Sequence, residues 1–87
     1  MIIIQENSSR QKELVMVLTP LIRQYAKATA SIKAILDLVD LFALVLDKWD
    51  YSPKEIRGLD KRAFLDLLKS WQIEATPKDL SMIKAVI

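Results

Sequence analysis

The chain has 87 residues, 13 Lys+Arg against 11 Asp+Glu, 52% apolar residues, a single Gly, and neither Cys nor His. That length and composition fit one small folded domain. The missing Cys and His exclude disulfides, the usual zinc sites and imidazole acid–base chemistry, and a lone Gly excludes Gly-rich phosphate loops. Charge is close to balance in both halves, six basic and five acidic residues up to position 49 and seven and six after it, so no polyelectrolyte partner is demanded.

In chain order, Met1–Ile4 has the composition of a short strand, which would need a partner strand from another chain. Residues 9–30 then place Leu14, Leu18, Leu21, Ile22 and Tyr25 on one helical stripe opposite Arg23 and Lys27. Ser8 or Ser9 is the expected N-cap. Pro20 lies inside this pattern and removes a backbone donor, which predicts a kink or break near Thr19. Thr29, Ala30 and Ser31 form the expected junction, with Ser31 capping the next helix.

Residues 32–49 form the central helix. At one turn per 3.6 residues, Lys33, Asp37, Asp40, Leu44 and Asp47 fall within an arc of about 80°. Nearly everything else is apolar, and so wide an apolar face predicts neighbours on several sides. Ser52-Pro53-Lys54-Glu55 is a capping box with Pro at the first helical position, and Thr76-Pro77-Lys78-Asp79 is a weaker version of it. Between them Gly58 ends a short helix and Asp60 caps another running to about Trp71. The last helix turns Leu80, Ile83, Val86 and Ile87 inward. The predicted fold is therefore all-α: one helical domain over residues 1–87, a bundle of about five helices, with the first kinked near Pro20.

Asp37, Asp40 and Asp47 share a side of the central helix, but a carboxylate metal or acid–base site needs ligands from a second element. A solvated stripe, with Lys33 pairing Asp37 four residues on, accounts for them. No catalytic group, metal or cofactor is expected, and the chain reads as a non-enzyme. The stretch 32–46 is too short and too charged to span a membrane, and no signal segment precedes it, which points to a cytoplasmic protein.

The surplus is apolar surface. Leu14 to Leu18 is an unbroken apolar run, so a second face of the first helix is apolar too. A protein interface is expected there, for self-association or for a regulatory, inhibitor or adaptor role. Its candidate residues are Val15, Met16, Val17, Trp49 and Trp71; Trp is a typical interface anchor, although packing at the junction of the two halves is the favoured role for both. The alternative is a small DNA-binding regulator with a helix-turn-helix-like pair at 60–71 and 77–87. Arg62, Lys69, Lys78, Ser81 and Lys84 would then meet nucleic acid. Against it stand the interleaved Asp60, Asp66 and Glu74 and the near-neutral charge.

Overall fold

A computed structural model describes the backbone of residues 3–87 and the side chains of residues 9–87. Five helices follow in order: α1 (Ile3–Tyr25), α2 (Ile32–Lys48), α3 (Pro53–Arg57), α4 (Lys61–Glu74) and α5 (Pro77–Val86). Among the described residues there is no strand, and the fold is an all-α bundle.

Four helix starts follow from local chemistry. The side chains of Ser31, Ser52, Asp60 and Thr76 each accept a hydrogen bond from the backbone N–H three residues on. At Ser52 the reciprocal bond is present too, with Glu55 accepting from the Ser52 backbone at 3.2 Å. These contacts satisfy N–H groups that a helix cannot pair internally.

The first helix departs from expectation. It begins by Ile3, so Ser8 and Ser9 are interior residues rather than caps. Ile3 and Ile4 are helical, not a strand; Met1 and Ile2 lie outside the described residues. A lone strand leaves its backbone groups unpaired, whereas the helix pairs them within the segment. The helix also continues through Pro20, so of the kink or break expected near Thr19 the break does not occur. Pro20 and Met16 are both on the exposed side, where water can reach the carbonyl that the proline leaves without a donor. One residue back, the Thr19 hydroxyl donates to the Val15 carbonyl at 2.7 Å.

The core is assembled from all five helices. Leu14, Leu18 and Ile22 bury one stripe of α1, while Leu38, Val39, Phe42, Ala43 and Leu46 bury one side of α2. Ile56 anchors the short α3, and Ile83 and Val86 close α5 onto the same cluster. Phe42 sits at the centre, stacked on Trp71 at 4.9 Å and 6° and edge-on to Phe64 at 5.8 Å and 68°. These are favourable ring arrangements. No polar or charged residue is buried among the described residues.

Helices α1 and α2 form an antiparallel hairpin. Arg10 of α1 reaches Asp47 near the end of α2, and Lys12 and Met16 border one hollow with Asp40. The turn between the helices is tied to the chain's last helix. The Lys27 N–H donates to the Val86 carbonyl at 2.8 Å, and the Lys27 ammonium donates to the carbonyl of Lys84. A cation and a donor at the C-terminal end of α5 complement its unpaired carbonyls and its dipole.

Gly58 caps α3 as expected, but at φ −85°, where any L-residue fits. A Cβ built there would lie 3.7 Å from the Glu55 carbonyl oxygen, an ordinary contact. Gly58→Ala is therefore expected to stabilise the protein by about 0.4–1 kcal/mol through a less flexible unfolded chain. Urea denaturation checks this, and a loss of stability would show that the turn needs glycine.

Candidate protein-binding face

Helix α1 buries Leu14, Leu18 and Ile22 and so turns Lys12, Met16, Pro20 and Arg23 outward. Met16 is 74% exposed, the apolar outlier of that outer row. Val15 and Val17, on its two shoulders, are half-buried and pack against the core. Of the run expected to be an interface, Met16 is the fully presented residue and the two valines are shared with the fold.

Met16 forms the ridge between two shallow grooves. On one side Gln11, Lys12, Val15 and Met16 of α1 face Asp40 of α2. On the other, Met16, Val17, Pro20 and Leu21 face Arg57 of α3. On α2, Leu36 and Leu44 stand one turn either side of Asp40 and are 44% and 39% exposed, and Ile32, a further turn back, is 66% exposed. Four large apolar side chains on these two helices are exposed: Met16 on α1, and Ile32, Leu36 and Leu44 on α2. Ile73, also exposed, stands apart in the last turn of α4.

Charge frames this face asymmetrically. Lys12 and Arg23 lie along the outer row of α1, and Asp37 and Asp40 lie on the exposed side of α2. The expected Lys33–Asp37 pair is not formed. Among the described residues both ion pairs belong to Arg10, to Asp47 at 3.3 Å and to Asp50 at 3.0 Å. Arg10 also donates to the Tyr51 carbonyl at 3.0 Å. This clamp holds the α2–α3 turn, where Asp50 takes a φ of 64° that an Asp tolerates better than most residues.

The other candidate residues fall in different places. Trp71 is 2% exposed and stacked on Phe42, so it is a core residue and not a surface anchor. Its apolar bulk fills the centre of the bundle, where burial outweighs what it would gain at a surface. Trp49 is half-buried and lines a shallow hollow with Tyr51, Leu67, Ser70 and Glu74. It is the residue after α2, at the opposite end of that helix from Ile32.

Arg62, Lys69, Lys78, Ser81 and Lys84 are all exposed. Arg62 and Lys69 border a hollow on α4 together with Lys61, Leu65 and Asp66. Helix α4 runs on to Glu74 rather than stopping near Trp71, so only Ala75 and Thr76 separate it from α5. The main partner of α5 is α2, not α4. A helix-turn-helix needs its two helices packed on each other to aim the second one.

No group of three or more acidic side chains is placed to hold a metal ion among the described residues. Among the same residues no helix is long and apolar enough to cross a membrane. Comparison with known proteins returns no match: no family model, no curated protein and no solved structure is similar to the chain.

Proposed function

We propose that the chain is a non-catalytic protein-binding module that acts through the α1/α2 face. The carrying observation is the row of exposed apolar side chains, Met16, Ile32, Leu36 and Leu44, on two adjacent helices of a domain with an otherwise complete apolar core. Large apolar groups gathered on one face cost free energy in water, and a partner that covers them recovers it. The flanking Lys12 and Asp40 supply the polar rim that fixes orientation. The basic residues of α4 and α5 lack such a gathering feature, and α5 packs chiefly along α2, so the nucleic-acid reading has the weaker support.

Met16, unlike Val17, can be altered without touching the core. A photo-crosslinking residue placed at position 16 in the intact cell is expected to give adducts of discrete mass. The same residue at exposed Ala85 is expected to give none. Absence of any adduct specific to position 16 would remove this reading.

A further inference from the structure

We infer that, beyond the protein-binding face, one end of the bundle is a second binding surface that docks on the phosphate backbone of a nucleic acid. Along the sequence the charge is spread evenly, but the fold gathers it.

Four helix ends meet at this end. The antiparallel hairpin puts the last turn of α1, the turn 26–31 and the first turn of α2 there. The Lys27 N–H donates to the Val86 carbonyl at 2.8 Å, which brings the last turn of α5 to the same place. The Lys61 ammonium lies 5.9 Å from the centre of the Tyr25 ring, and Tyr25 packs on Phe64 at 5.5 Å, which adds the first turn of α4. These turns carry Arg23, Lys27, Lys33, Lys61, Arg62 and Lys84, all exposed. Their one side-chain carboxylate is Asp60, which is engaged as the α4 cap and accepts from the Ala63 N–H at 2.8 Å. Asp37 and Asp66 stand one turn further along α2 and α4 and form no ion pair with Lys33 or Arg62. Outside these turns the chain holds seven basic and ten acidic residues. The molecule is therefore positive at this end and negative elsewhere.

Two of the cations are held in place by the fold. The Lys27 ammonium donates to the Lys84 carbonyl, and Lys61 rests over the Tyr25 ring. Side chains fixed in advance lose less entropy on binding. Six cations from four helix ends, on a bundle 26 × 25 Å across, form a broad array rather than a pocket for one small anion. A polymer of closely repeated charge matches such an array, and duplex DNA carries one negative charge per about 1.7 Å of its axis. Between the cations the turn offers Ala26, Ala28, Thr29 and Ala30, whose short side chains let a backbone approach. A membrane surface calls for apolar anchoring besides charge, and these turns expose one large apolar side chain, Ile32. This surface is not the helix-turn-helix expected from the sequence: Arg62 and Lys84 lie in it, but Lys69 and Lys78 lie outside it.

The test is binding to a DNA duplex of about 20 base pairs, followed by fluorescence anisotropy. Wild-type affinity is expected to fall about a hundredfold or more between about 50 and 200 mM salt, as for about four to six phosphate contacts. Lys33→Glu/Lys84→Glu is expected to weaken binding about tenfold or more at the lower salt. Lys69→Glu/Lys78→Glu alters net charge equally, away from this end, and is expected to weaken it less than about threefold. All four positions are exposed, and circular dichroism checks that each variant keeps its helices. Wild-type binding by the first variant, equal weakening by both, or no binding by the wild type would overturn this surface. So would tighter binding to phosphatidylserine vesicles or to polyglutamate than to the duplex, which would assign a membrane or an acidic protein instead.

Discussion

Phe42→Ala is expected to lower the unfolding free energy by about 3–5 kcal/mol. The side chain has no exposed surface and lies between Trp71 on one side and Phe64 on the other. Truncation removes its burial and strands two large rings beside a cavity that α2 and α4 cannot close without moving. Both ring contacts are lost with it, each worth about 0.5–1.5 kcal/mol beyond burial. An 87-residue domain has only about 4–13 kcal/mol in total, so the variant is expected to be partly unfolded at 37 °C. Urea denaturation followed by far-ultraviolet circular dichroism measures the loss. A loss under about 1 kcal/mol would mean that Phe42 is not at the packing centre.

The second large effect is a contrast on a single helix. Leu18→Ala is expected to cost about 2–5 kcal/mol, because Leu18 is fully buried in the stripe that α1 contributes to the core. Met16→Ala, two residues away, is expected to leave the folding free energy of the monomer within about 0.5 kcal/mol, because Met16 is 74% exposed. The same Met16→Ala change is expected to weaken association. Leu18 thus belongs to the fold and Met16 to the surface, and the two readouts, unfolding and association, separate them. Comparable destabilisation by both substitutions would show that α1 is buried all round.

What was legible in the sequence was what neighbouring residues decide among themselves. The caps at Ser31, Ser52, Asp60 and Thr76 are interactions over three residues, so they read directly from the order of side chains. The same is true of the inward stripes of α1 and α5. The start of α1 was not legible. A run of three isoleucines followed by polar residues and two serines favours a strand and then a cap by composition, and only the lack of a partner strand decides for the helix.

Tertiary decisions were less visible. Trp71 reads by its type and position as either a packing residue or an interface anchor, and only the assembled bundle places it against Phe42. Nothing in the local sequence marks Arg10, because its partners Asp50 and the Tyr51 carbonyl lie 40 and 41 residues away. Leu36 carried an ambiguous signal. It belongs to the apolar majority of α2, but it stands one turn from Asp40, and on a helix that neighbour shares its face. The candidate face was therefore half legible: Met16 by the length of the apolar run it belongs to, and Leu36 and Ile32 only once α1 and α2 were placed side by side.

The account turns on whether the α1/α2 face binds protein, and crosslinking from position 16 in the intact cell tests this most directly. The account predicts adducts of discrete mass from position 16 and none from exposed Ala85. The same adducts from both positions, or none from position 16, would contradict it.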